Sequence, residues 1–66
     1  MRARVNGVER ELPDDTTVAA LLQRLGVQQN GTAVAVNERV VQRTLHEATR
    51  LFEGDRVEII TAVAGG

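Results

Sequence analysis

An α+β fold, a small sheet with one main helix packed across it, is what this 66-residue chain predicts. Three observations lead there. Asn6-Gly7 separates two alternating runs near the start, and a single apolar stripe at helical spacing follows. The remainder returns to short runs rich in valine and isoleucine, set apart by turn residues. The resulting order is strand, strand, helix, strand, short strand, strand. Four to five strands and one helix make one domain at this length, with no room for a second.

In the first strand, residues 1–5, Ala3 and Val5 alternate with Arg2 and Arg4, so one face is buried and the other wet. Asn6-Gly7 is the strongest short-range hairpin signal, because a type I′ turn needs φ > 0 at both central positions. The second strand, 8–12, points Leu12 inward. Pro13 ends it, since proline cannot donate to a ladder. Thr16 or Thr17 is the expected N-cap of the helix, with Asp14 and Asp15 placed where the positive end of its dipole favours anions. Val18, Leu21, Leu22 and Leu25 fall at i, i+3, i+4 and i+7, one continuous core-facing stripe. Gly26 suits the left-handed position that terminates the helix.

Residues 28–32 read as a polar loop and 33–37 as a strand, with Val34 and Val36 inward and Ala33 and Ala35 outward. Val40-Val41 is a short strand, and 42–52 an irregular crossing segment with one helical turn. Glu53-Gly54-Asp55 turns the chain into the last strand, 56–63, where Val57 and Ile59 face the core. Ile60 and Ala62 then face outward. Together with Ala33 and Ala35 they are expected to form a flat apolar patch rimmed by Arg39, Arg43 and Arg50, the kind of surface that marks a partner site.

Composition removes several classes of function. There is no cysteine, so disulfides, thiolate metal sites and a cysteine nucleophile are excluded. The net charge of −1 and a pI near 5.7 supply no basic field for nucleic acid, and one phenylalanine without tryptophan or tyrosine offers no stacking platform. No apolar run approaches the roughly 18 residues of a spanning helix, and Arg2 and Arg4 open the chain without a hydrophobic signal region. No membrane association and a soluble, cytoplasmic protein are expected. His46 is the single histidine, read as a surface or packing residue. Glu9 and Glu11 share one strand face as its solvated side, and Glu53, Asp55 and Glu58 are scattered. No phosphate loop, Ser/His/Asp set or zinc spacing is present, so the chain is not expected to catalyse by itself.

The sequence ends in Gly65-Gly66, just after the last strand. With glycine at about 7% of average sequence, two terminal glycines arise by chance in roughly one chain in 200. Without a Cβ the last carboxylate is uncrowded, and the backbone can thread a channel too narrow for side chains. The carboxylate of Gly66 is therefore the candidate functional group. All eight basic residues are arginine, so no side-chain amine is present to attack an activated acyl group at that end.

Several segments match a known pattern in order: the Asn6-Gly7 hairpin, Thr-Thr-Val-Ala-Ala-Leu-Leu at 16–22, Val-Ala-Val-Asn at 34–37, and Gly-Asp-Arg-Val-Glu-Ile-Ile-Thr-Ala-Val-Ala-Gly-Gly at 54–66. Over essentially its whole length the chain resembles the ThiS family, the sulfur carrier proteins of thiamine biosynthesis. It departs from the family at Val41-Gln42-Arg43, where Val-Pro-Arg is common, and at Thr44-Leu45-His46, where a tryptophan is common. The resemblance implies a β-grasp (ubiquitin-like) fold with a mixed sheet over 1–63 and a flexible tail at 64–66.

It also implies a mechanism. A ubiquitin-activating-type enzyme would use ATP to adenylate Gly66, and a cysteine desulfurase or other sulfur donor would convert the adenylate to a thiocarboxylate. Thiazole synthase would then consume the sulfur. In that scheme Gly66 carries the sulfur, Gly65, Ala64 and Val63 thread into the partner, and Ile60, Ala62, Ala33 and Ala35 dock it. The protein binds no cofactor or metal itself. The alternatives are the small sulfur-carrying subunit of molybdopterin synthase, a β-grasp interaction module without sulfur chemistry, and a protein-conjugating modifier.

Overall fold

The computed structural model describes residues 1–61; the expectations for Ala62, Val63, Ala64, Gly65 and Gly66 lie outside the described residues. Strands β1 (Arg2–Val5), β2 (Val8–Glu11), β3 (Thr32–Val36), β4 (Arg39–Val41) and β5 (Arg56–Thr61) form one sheet in the order β2-β1-β5-β3-β4, with one helix, α1 (Val18–Leu25). β1 runs parallel to β5 and every other neighbouring pair is antiparallel. This mixed sheet with a crossing helix is the expected β-grasp arrangement.

Each element follows from its residues. Asn6 and Gly7 hold φ of 49° and 81° between the paired Val5 and Val8, as a type I′ turn requires. Thr17 is the N-cap, its hydroxyl accepting from the Ala20 amide at 3.0 Å. Gly26, at φ 71°, ends the helix: its amide donates to Gln23 O and the Val27 amide to Leu22 O. That pair of bonds is a Schellman motif, and Val27 packs on the core beside it. Asp14 and Asp15 lie before the Thr17 cap, outside the first turn of α1, and each has a closer charged partner. Asp14 accepts from the Met1 ammonium at 3.3 Å and Asp15 from Arg50 at 2.8 Å, both partners bearing a full charge against the helix's fractional one.

The apolar stripe meets the inner sheet face as patterned. Ala3, Val5, Leu12, Val18, Leu21, Leu22, Val34, Leu51 and Val57 form the buried core, with Leu25, Val36 and Ile59 half-buried against it. Burying each of the larger side chains contributes about 1.5–3 kcal/mol. His46 belongs to this core at 1% exposure, its Nε2 lying 3.1 Å from Val41 O. It is a packing residue. The crossing segment contains the expected helical turn, a 3₁₀ turn at Arg43–Leu45.

One turn was not legible as such, and another stands where Glu53-Gly54-Asp55 predicted it. Asn37 and Glu38 take φ of 51° and 69° between the paired Val36 and Arg39, a second type I′ turn without glycine. At Phe52–Asp55 the Asp55 carboxylate accepts from the Phe52 amide at 2.8 Å while Asp55 N donates to Phe52 O. Gly54 sits in this turn at φ 85°.

Candidate functional site

The helix covers one face of the sheet, and the register determines what the other face carries. Arg4 pairs with Arg56 across β1 and β5, and Arg2 and Arg4 pair with Glu11 and Glu9 across β1 and β2. Ala33 pairs with Ile60 and Ala35 with Glu58 across β3 and β5, while Ala35 pairs with Val40 across β4. The outer face is therefore divided. Its β2–β1 side is charged, with Arg2 3.6 Å from Glu11 and a hollow of about 240 Å³ lined by Arg2, Arg4, Glu9, Glu53 and Arg56 among others. Its β5–β3–β4 side is apolar apart from Glu58 on β5.

The apolar side is the patch expected from the alternation. Ile60 is 65% exposed and uncovered by the crossing segment, Ala33 is exposed and Ala35 half-buried. A shallow depression of about 340 Å³ lies between Ile60, Ala33, Thr32, Gly31, Gln29 and Arg43. Arg43 thus rims the patch as expected. Arg50 does not: its guanidinium is held by Asp15 at 2.8 Å and lies 5.9 Å from the Phe52 ring centre, beside the start of α1. Ala62 lies beyond the described residues. Val40, 76% exposed, joins the patch and escaped the sequence reading, because its facing depends on the Asn37-Glu38 turn length.

β5 delivers Ile60 to this face, and two asparagines fasten that strand. At its start, Asn37 Oδ1 accepts from the Arg56 amide at 2.9 Å and Asn37 Nδ2 donates to Asp55 Oδ1 at 3.0 Å. Further on, Asn6 Oδ1 accepts from the Ile59 amide at 2.8 Å and Asn6 Nδ2 donates to Ile59 O at 3.2 Å. Sequence reading assigned Asn6 to its turn only. Two of the carboxylates are spent on structure: Glu53 accepts from the Arg2 amide, and Asp55 caps its own turn. Among the described residues no three histidine, cysteine, aspartate or glutamate side chains gather as a metal site, and no helix is long and apolar enough to cross a membrane.

Known proteins agree with this geometry. Along its whole length the chain is 35% identical over 66 residues to a thiazole synthase of Paramagnetospirillum magneticum and 33% identical to a thiazole synthase of Magnetococcus marinus. It spans only 20% of each of those proteins. The crystal structure of the thiamine biosynthesis protein ThiS from Geobacter metallireducens matches with a TM-score of 0.85 at 32% identity, covering all of both chains. The solution structure of a thiamine biosynthesis protein from the same organism matches with a TM-score of 0.82 at 32% identity, covering all of this chain and 88% of that one. The sequence pattern of the ThiS family matches residues 3–66, and the chain belongs to that family.

Proposed function

We propose that this protein is a sulfur carrier for the thiazole moiety of thiamine, with Gly66 as the carrying residue. The observation that supports it most is the exposed apolar half-face, to which Ile60 is contributed by the strand that leads in sequence to Gly65-Gly66. A partner seated there would meet the diglycine segment as it leaves β5. The charged half-face beside it supplies arginines and carboxylates for orientation.

A carboxylate is a poor electrophile until its oxygen becomes a good leaving group. A ubiquitin-activating-type enzyme supplies this: a Gly66 carboxylate oxygen attacks the α-phosphorus of ATP, expels pyrophosphate and gives the acyl-adenylate. The terminal sulfur of a persulfide then attacks the carbonyl carbon and AMP departs. A thiol next attacks the resulting disulfide and releases the thiocarboxylate, from which thiazole synthase takes the sulfur. Gly65, Ala64 and Val63 serve as the threading segment, and Ile60, Ala33, Ala35 and Ala62 as the docking surface. The relatives named for thiamine biosynthesis and thiazole synthase support this pathway over the molybdopterin one.

Intact mass of the protein from its native host tests the proposal. The expected result is a gain of about 16 Da, localised to Gly66 by fragmentation because methionine oxidation adds nearly the same mass. Deleting Gly66 is expected to abolish sulfur transfer while leaving the melting temperature unchanged. A Gly66-deleted chain that still supports thiazole formation would refute the assignment.

A further inference from the structure

The β1–β5 ladder ends unusually. Arg4 N donates to Asp55 O at 2.8 Å and Asn6 N to Val57 O at 2.9 Å, the even spacing of a parallel pair. The next rung would join the Ile59 amide to the main-chain carbonyl of residue 6. At that point the chain turns away at Asn6-Gly7, and the side-chain carboxamide of Asn6 takes the rung instead. Its Oδ1 and Nδ2 engage both the amide and the carbonyl of Ile59, 53 residues away in sequence. A primary carboxamide matches a peptide group in donor and acceptor, so it extends the ladder by one step along β5. Past Val57 the other flank of β5 is held by β3, which pairs with it as far as Thr61.

Resting on the sulfur-carrier reading above, we propose that Asn6 is a positioning residue, whose carboxamide fixes the Ile59 main chain and so aims Ile60 and the root of the C-terminal segment at the partner. The two jobs of Asn6 are separable. Glycine satisfies the left-handed turn as well as asparagine does but carries no carboxamide. Aspartate accepts from the Ile59 amide but turns an anion toward the Ile59 carbonyl. Asn37 supplies a matched control: it also sits in a type I′ turn, also makes two side-chain hydrogen bonds to the Asp55-Arg56 end of β5, and lies at the strand's far end from the tail.

The test compares Asn6→Gly and Asn37→Gly in the intact chain, at a temperature where melts show both folded. Two readouts are taken. Amide exchange at Ile59 is expected to rise about tenfold in Asn6→Gly with Val34 unchanged, the size of effect one lost hydrogen bond produces. In ATP–pyrophosphate exchange with the host's adenylating enzyme, kcat/KM is expected to fall about tenfold for Asn6→Gly and to stay within about twofold for Asn37→Gly. Equal losses in both variants, or none in either, overturn the positioning role. Unchanged exchange at Ile59 overturns the clamp itself. A Gly66-deleted chain that still drives pyrophosphate exchange overturns the carrier reading instead, and the Ile59 amide then still reports on the clamp.

Discussion

Replacing Ile60 by aspartate separates folding from docking, and its two effects differ in size. With Ile60 65% exposed, only about a third of the side chain is removed from water. Full burial of an isoleucine is worth about 1.5–3 kcal/mol, so the covered part contributes roughly 0.5–1 kcal/mol. Aspartate is a poor strand residue, which adds up to about 1 kcal/mol. Glu58 lies two residues away on the same face, while Arg43 borders the depression and offsets part of that repulsion. The sum, about 1–2 kcal/mol, lowers the melting temperature by roughly 5–15 °C in a domain of this size. Docking suffers more. An apolar anchor at the centre of a contact is worth about 2 kcal/mol or more, hence at least about 30-fold in Kd, and a carboxylate pressed into apolar surface adds to the loss. Thermal melts by circular dichroism and titration calorimetry against the adenylating enzyme measure the two terms. An Ile60→Asp variant that is folded and binds with undiminished affinity would refute the docking role. A variant unfolded at 25 °C would refute the packing argument, since a side chain this exposed does not hold the core together.

Two further predictions concern stability. Gln42 has φ of −62° and ψ of 146°, which proline adopts without strain, and Val41 before it is extended. In a two-residue hairpin closed by Val36 and Arg39, the amide of residue 42 points away from β3, so Gln42→Pro is expected to raise stability by about 0.4–1 kcal/mol in a denaturant titration. The Met1 ammonium is partly desolvated, which alone would lower its pKa, but the hydrogen bond and charge of Asp14, and then of Glu11, raise it above the ordinary value of 8.0. The stability it lends is present in full below about pH 8 and is lost as the pH rises through the raised value, so Asp14→Asn is expected to flatten the alkaline limb of a plot of melting temperature against pH.

What the sequence disclosed and what it withheld follow from distance along the chain. The β1–β2 turn, the Thr17 cap, the α1 stripe and its Gly26 stop are each encoded within a few residues. Each stands in the structure where local chemistry put it. The alternation in β5 correctly separated Val57 and Ile59 from Ile60, because a two-residue period leaves no other choice once one face is buried. Asp14 and Asp15 were assigned to the nearest local field, whereas their partners Met1 and Arg50 come from distant segments. The carboxamides of Asn6 and Asn37 were equally hidden, because their partners on β5 are 53 and 19 residues away. His46 shows the same limit: nothing in the polar stretch around it signals burial. The Asn37-Glu38 turn was missed for a different reason, since glutamate rarely adopts φ > 0 and carries no turn signal.

The place of β5 in the sheet has a consequence for how the protein is made. Translated from the N-terminus, the β1–β2 and β3–β4 hairpins emerge first, yet in the sheet neither pairs with the other and β5 is the strand that joins them. Until that strand is synthesised the chain is two half-sheets with exposed edges and unburied apolar surface, the kind of species that proteases and chaperones capture. A nascent chain interrupted before Arg56 has no route to the native state. Folded molecules are thus selected for having been translated through β5, the strand that precedes the diglycine in sequence.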